Sequence, residues 1–375
     1  MLTAPTISRP PAETEALSPR ANIYDIRGRQ WHLDYLSVRQ VHKLSQGEGV
    51  MVAVVDTGVH PHPDLRGNLV AGTSVLHGDR SNGQQDRDGH GTGMAGLISS
   101  HGRPAGKGAL GIAPKAKILP VRFKLDGPLG TATDLSQAIE YAISRKAQII
   151  SISSAGAANL ALQRAIQSAA RADVVVVAAA GNIPADRHVG FPAAYPNVIA
   201  IGGIDRGGKH TRISVSGPEV DLVAPAVEIY STNFDGGYRA GTGTSGAAAI
   251  VAGAAALIRA KYPYLPADEV AHRLTATAID KGPPGRDDQY GYGVIDLVAA
   301  LTADVPPRGF GSVPATPGGG GPTTAEAGGP RTGENRAATV RGLVTLGVLL
   351  AAGGAWALVL RRRRRSADPP PRISR

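Results

Sequence analysis

The stretch VMVAVVDTGV, residues 50–59, decides the fold of this 375-residue chain. Its apolar run continues without interruption until it meets Asp56, Thr57 and Gly58. A short apolar run that ends at turn-forming residues is typical of a strand buried on both faces of a parallel sheet. The residue after such a strand lies at the carboxyl edge, where ligands and catalytic groups gather. The sequence therefore predicts Asp56 at the functional edge of a sheet.

Further apolar runs alternate with helical patterns along the next two hundred or so residues. The predicted strands are 116–122, 149–153, 174–178 and 198–202. The predicted helices are 93–100, 134–145, 160–172, 245–262 and 267–278. Strands separated by helices indicate an α/β domain in which helices cover both faces of a mostly parallel sheet.

Composition divides the chain into five predicted regions. They are a disordered segment at 1–20, the folded domain at 21–302, a flexible Gly/Pro-rich stalk at 303–340, a transmembrane helix at 341–360 and a basic tail at 361–375. Within the fourth region, Leu343 to Leu360 is uncharged and long enough to span a bilayer. Five arginines follow it and favour a cytoplasmic tail, so we expect a single-pass protein of the cell membrane with an extracellular domain.

The first 20 residues contain no apolar stretch of the kind that an export signal requires. An alternative expectation is therefore a cytosolic, tail-anchored protein. That topology would move five arginines across the membrane, which the preference for positive charge on the cytoplasmic side disfavours.

The net charge of +10 does not indicate nucleic-acid binding. Residues 361–375 alone hold seven arginines and one aspartate, so the folded domain carries little of the excess. The chain has no cysteine, which excludes disulfides, thiolate metal sites and a cysteine nucleophile. His60, His62 and Asp64 lie close together, but two prolines and the lack of a further ligand favour a structural segment. We therefore expect neither a metal site nor a cofactor.

Three other segments join a reactive side chain to the backbone geometry that catalysis needs. In DGHGTGMAG, residues 88–96, His90 opens a helix of small residues and could act as a general base. In GTGTSGAAAIVAG, residues 241–253, Ser245 begins a helix whose N-terminus favours developing negative charge. In VVVVAAAGN, residues 174–182, Asn182 follows a strand and could donate to an oxyanion. Taken singly, each residue is as readily a cap, turn or packing residue.

The four segments together, in the order Asp, His, Ser, resemble the subtilisin-like serine proteases, the subtilases. The resemblance covers about residues 31–301 and implies a subtilisin-like three-layer fold. It implies that Ser245 is the nucleophile, His90 the general base, Asp56 the residue that orients it and Asn182 the oxyanion donor. It also implies that a protein or peptide substrate pairs with 126–130 and 153–156, with five binding residues: Gly127, Gly130, Ser153, Ser154 and Ala155.

With its stalk and membrane helix the chain is also similar to the mycosins, the membrane-anchored subtilases of type VII secretion. That similarity implies a serine endopeptidase linked to protein secretion or processing, with secretion-complex subunits as partners. The alternative is a structural component of such a complex whose proteolysis is dispensable. Gly93, Met94 and Gly246 depart from the usual subtilase motifs, beside the residues predicted to react.

Overall fold

The computed structural model describes residues 26–125 and 130–308. The strands are β1 Met51–Asp56, β2 Thr73–Ser74, β3 His101–Arg103, β4 Lys107–Leu110, β5 Lys117–Arg122, β6 Ile149–Ile152, β7 Val175–Ala179, β8 Val198–Ile204, β9 Leu222–Pro225, β10 Ile229–Thr232 and β11 Tyr238–Gly241. The α-helices are α1 Ile26–Arg29, α2 Trp31–Tyr35, α3 Val38–Val41, α4 His90–Ser99, α5 Ala132–Ser144, α6 Leu160–Arg171, α7 Thr244–Lys261, α8 Ala267–Ala276 and α9 Leu297–Thr302. The predicted disordered segment, stalk beyond 308, membrane helix and tail lie outside the described residues.

The central sheet has seven strands in the order β2-β5-β1-β6-β7-β8-β9. Every pairing in it is parallel. β5 and β6 flank β1 on its two sides, in registers that pair Asp56 with Arg122 and Val55 with Ile152. The carboxyl ends of these three strands therefore meet at one edge of the sheet.

Side chains that alternate along β1 enter two different cores. Val52 and Val54 belong to the core that contains α4 and α7, while Ala53 and Val55 belong to the core that contains α5 and α6. Because successive side chains of a strand point to opposite faces, this division places helices on both faces of the sheet. The predicted α/β class, with a mostly parallel sheet, is confirmed.

Helix α7 runs through the centre of one of these cores. Its sequence TSGAAAIVAGAAALIRAK is buried from Thr244 to Arg259, with the exception of Ser245. The many alanines and glycines let the helix approach β6, β7 and β8 closely. Over residues 26–125 and 130–308, no helix combines the length and the apolar character needed to cross a bilayer.

Two regions differ from the sequence prediction. Residues 26–41 form the short helices α1, α2 and α3, which are too brief to produce a detectable period. The residues between the predicted strand at 198–202 and the predicted helix at 245–262, to which no element was assigned, contain β9, which extends the main sheet, and β10, which pairs with β11 in an antiparallel ribbon.

Candidate active site

Asp56 and His90 form the best-defined contact at the carboxyl edge of the sheet. Asp56 is the last residue of β1 and is 1% exposed, whereas His90 is the first residue of α4. The imidazole Nδ1 lies 2.8 Å from Asp56 Oδ1 and 2.9 Å from Oδ2. A ring that donates through Nδ1 leaves Nε2 as the nitrogen available to accept a proton.

Asp56 is held in its ionised form. Burial alone would raise the pKa of its carboxyl group, but the charges of His90 and Lys124 and the hydrogen bonds from His90 and Thr57 hold that pKa below its usual range. The Thr57 backbone N–H donates to Oδ1 over 2.7 Å. A carboxylate fixed in this way can orient an imidazole and stabilise it when it becomes protonated.

The buried carboxylate of Asp86 holds the strand that carries Asp56 against the helix that carries His90. The Thr57 hydroxyl donates to Asp86 Oδ1 over 3.0 Å, and the Thr92 hydroxyl donates to Oδ2 over 2.6 Å. The backbone N–H groups of Gly89 and Thr92 donate to the same side chain. Asp86 therefore satisfies free N–H groups at the start of α4, as an N-terminal cap does.

Ser245 lies in the first turn of α7, after the cap residue Gly243. Asn182 is beside it, because the backbone N–H of Thr244 donates to Asn182 Oδ1 over 2.9 Å. With its oxygen used in this way, the Asn182 side chain presents its NH₂ group as the remaining donor. Both the helix terminus and this amide are suited to stabilising negative charge near Ser245.

A cavity of about 230 Å³ is lined by His90, Asn182 and Ser245. Although His90 and Ser245 share it, no hydrogen bond between their side chains is present in the described part of the chain. Four other lining positions are glycines. Three of these four are Gly93, Gly241 and Gly246. A Cβ at any of these three would meet no atom closer than 3.5 Å. The unusual glycines noted in the sequence therefore open space beside the predicted nucleophile.

A second cleft of about 270 Å³ lies along the other predicted binding residues. Gly130, Ser154 and Ala155 line it, together with Phe123 and Phe191. Ser153 is buried, and its hydroxyl donates to the backbone oxygen of Ser245 over 3.4 Å. The structure thus brings four of the five predicted binding residues close to Ser245 or into one cleft. Gly127 lies outside the described residues.

Lys124 is a site residue that the sequence analysis missed. Its ammonium Nζ lies 3.5 Å from Asp56 Oδ1 and donates to Ser154 Oγ over 3.0 Å. The side chain is only 10% exposed, although lysine is among the residues least often buried. No motif marks it, because its contacts depend on which strands are neighbours in the sheet.

The segment that contains His60, His62 and Asp64 has a structural explanation. Nδ1 of His62 accepts from the Asp64 backbone N–H, and Nε2 lies 3.0 Å from the Gly236 carbonyl oxygen. Asp64 is fully buried and accepts from Arg103 and from the Tyr238 hydroxyl. Both ring nitrogens of His62 are thus engaged, Nδ1 within this loop and Nε2 with the turn between β10 and β11.

Comparison with known proteins agrees with this geometry. Residues 47–293 match the subtilase family. Subtilisin DY of Bacillus licheniformis is 36% identical over 260 residues, which cover 68% of this chain and 92% of the relative.

Solved structures of mycosins also match. MycP1 from Mycobacterium smegmatis has 31% sequence identity and a TM-score of 0.68, over 78% of this chain and 89% of that one. A second MycP1 structure is described as that of a serine protease and an essential component of the type VII (ESX-1) secretion system. It has 34% identity and a TM-score of 0.67, over 77% of this chain and 92% of that one. The chain therefore belongs to the subtilase family and is a serine endopeptidase that resembles the mycosins in structure.

Proposed function

We propose that this endopeptidase cleaves protein substrates with Ser245 as nucleophile, His90 as general base and Asp56 as the residue that orients the imidazole. The observation that carries the proposal is the contact of His90 Nδ1 with both oxygens of the buried Asp56. It leaves Nε2 as the nitrogen that can accept a proton, on a ring that lines the same cavity as Ser245. Catalytic hydrogen bonds are often long in a free enzyme and tighten when substrate binds, as we expect for this pair.

The reaction then proceeds through an acyl-enzyme. His90 removes the hydroxyl proton of Ser245 as the oxygen attacks the peptide carbonyl carbon, and it later gives that proton to the leaving amine. The oxyanion that forms accepts hydrogen bonds from the Asn182 amide and from the backbone N–H of Ser245. Water enters after the amine has left, and His90 activates it to release the acid product and restore Ser245.

Substrate binding in the second cleft is part of the same proposal. Gly130, Ser154 and Ala155 line it, and the backbone of 153–156 can pair with an extended peptide as an added strand. We place the acyl side of the substrate there and the leaving-group side in the glycine-lined cavity. The basis for this division is that Ser245 lines the glycine-lined cavity, while Ser153, next to Ser154 of the second cleft, donates to the Ser245 backbone oxygen.

We further propose that the catalytic domain is tethered to the cell membrane by Leu343 to Leu360 and acts in protein secretion or processing. The apolar sequence, the arginines after it and the mycosin resemblance support this assignment. The stalk would hold the domain at the outer face with the tail in the cytoplasm.

Labelling with a fluorophosphonate probe tests the catalytic assignment. The full-length protein should be labelled, and Ser245→Ala should abolish labelling because it removes the nucleophilic oxygen. Ser144→Ala is a matched control, since Ser144 is exposed at the C-terminal end of α5 and should leave labelling intact. A folded wild-type protein that takes up no label would overturn the triad.

A structural role in a secretion complex is the second candidate, because one matching structure is described as an essential component of such a system. The same Ser245→Ala variant separates the two functions when it replaces the wild-type gene in the native cell. Secretion that persists with Ser245→Ala but stops when 21–302 is deleted would favour the structural role. Loss of secretion with Ser245→Ala would favour proteolysis.

A further inference from the structure

Lys124 connects the ends of three neighbouring strands. It follows β5, its ammonium reaches Asp56 at the end of β1, and it donates to Ser154 just beyond β6. The order β5-β1-β6 in the sheet brings these three ends side by side. One cation therefore contacts both the carboxylate of the proposed triad and a residue of the proposed substrate cleft.

Burial makes this contact stronger than a surface ion pair. The side chain of Lys124 is 10% exposed and that of Asp56 is 1% exposed, so little water or salt lies between them. A buried ammonium is costly unless it is paired and hydrogen-bonded, and Lys124 has both an ionic partner and a hydroxyl acceptor. Asp56 and Ser154 therefore fix the position of the Lys124 ammonium, and Asp56 is also the group on which its charge acts.

Asp56 contacts both Lys124 and His90, and catalysis would leave both of these neighbours positively charged. Its Oδ1 faces the Lys124 ammonium at 3.5 Å and His90 Nδ1 at 2.8 Å. When His90 accepts a proton, two positive groups share one carboxylate. The lysine charge opposes that protonation by direct repulsion, because both positive groups then lie against the same carboxylate.

The other charged groups around His90 do not replace this effect. Asp86 and Asp88 lie in the loop before α4, where Asp86 binds backbone and hydroxyl groups and Asp88 accepts from the His90 backbone N–H. Arg239 on β11 donates to the Asp88 carbonyl oxygen. Of these charged residues, only Lys124 forms a salt bridge with Asp56.

We infer that Lys124 is a positioning residue whose charge on Asp56 extends the activity of His90 toward acidic pH. The inference rests on the proposed triad, because it treats His90 as the base. It adds a residue that no subtilase motif in this chain contains, and it predicts a specific change in pH dependence.

The test is the rate at which a fluorophosphonate labels Ser245, measured on the full-length protein from about pH 5 to about pH 9. This readout needs no knowledge of the natural substrate. In a plot of labelling rate against pH, the acid limb is the range in which the rate falls as the pH falls. We expect Lys124→Met to move the midpoint of this limb upward by about one pH unit. Labelling below the midpoint should then be about tenfold slower, and labelling above it should be little changed.

Two variants serve as controls. Lys124→Arg keeps the charge and should leave the acid limb near its wild-type position. Lys115→Met also removes one lysine charge, but Lys115 pairs with Glu48 on the surface and should not move the limb. If Lys124→Met does not fold, Lys124→Gln provides the neutral side chain with a polar group for Ser154.

The outcomes are distinguishable. A neutral variant that lowers labelling equally at every pH would overturn the inference and leave Lys124 with a packing role only. A shift that Lys124→Arg reproduces would also overturn it, because the charge would then not be the cause. Absence of labelling in the wild type would instead contradict the proposed triad itself.

Discussion

The orientation of the Asn182 amide is set by one backbone contact at the start of α7. Thr244 donates to the amide oxygen, and the Asn182 backbone N–H donates to Asp186 Oδ2 over 2.8 Å. Gly181 allows this turn with a φ of +122°, a conformation in which a Cβ would lie 3.0 Å from Asp186. The side chain is therefore arranged before substrate arrives.

Replacing Asn182 by Ala should lower kcat by about 10²- to 10³-fold, the size of the effect known for the oxyanion amide in subtilisin itself, with little change in KM. The reason is that the lost hydrogen bond forms only to the transition state. Steady-state kinetics on a chromogenic peptide, with a melting temperature as the control for folding, measure the effect. A raised KM at unchanged kcat would instead assign Asn182 to ordinary substrate binding.

The sequence is informative about residues whose position follows from the local chain. Asp56 ends a strand and Asn182 follows one, while His90 and Ser245 lie in the first turns of helices, so their place at the carboxyl edge could be predicted. Lys124 could not, because its partners are fixed by the order of β5, β1 and β6 in the sheet. That order is a tertiary property without a local signature.

At the scale of elements, two glycines of α7 have opposite surroundings. A Cβ at Gly246 would meet Leu97 Cδ1 at 3.5 Å, which is ordinary contact. A Cβ at Gly253 would meet Ile112 Cβ at 2.7 Å, which neither residue can accept without moving. The helix is therefore close-packed at its middle and open at its start.

Gly246→Ala should stabilise the protein by roughly 0.5 kcal/mol, since alanine restricts the unfolded chain and favours the helix. Gly253→Ala should destabilise it by about 1–3 kcal/mol despite the same gain in helix propensity, because the core must shift around Ile112. Free energies of unfolding in urea compare the two variants directly. Equal effects would show that the packing of α7 at Ile112 is looser than the structure indicates.

Long periodic elements were predicted within a few residues, whereas short ones were not. The patterns at 134–145 and 160–172 correspond to α5 Ala132–Ser144 and α6 Leu160–Arg171. The helices within residues 26–41 have only four or five residues each, so tertiary contacts rather than periodicity determine them. Trp31, for example, is fixed by a hydrogen bond from its indole N–H to the Val227 carbonyl oxygen.

At the scale of the whole molecule, His32 links stability to pH. It is fully buried, and neither ring nitrogen has a hydrogen-bond partner among the described residues. Burial lowers the pKa of its imidazole from 6.5 to about 3. Between these values the unfolded chain binds the proton more readily, so the free energy of unfolding falls as the pH falls from 6.5 toward 3.

His32→Leu should weaken this dependence. Between pH 3 and pH 6.5, the slope of the free energy of unfolding against pH should decrease by up to about 1.4 kcal/mol per pH unit. Burial also lowers the pKa of His42, His62 and His210, so a smaller slope should persist in the variant. Urea unfolding at several pH values measures the slope, and His77→Gln at an exposed position is the control. An unchanged slope in His32→Leu would mean that His32 is hydrated in the folded protein.

The passage of α7 through the core has a consequence for the timing of activity during synthesis. Ser245 is carried by a helix that packs against β6, β7, β8 and β9, while Asp56 and His90 are made much earlier in the chain. With the proposed triad, a partly synthesised domain therefore holds the aspartate and the histidine without the nucleophile, and it cannot cut its neighbours. Proteolysis becomes possible only after α7 has docked against the sheet, so only the completed domain can cleave a substrate.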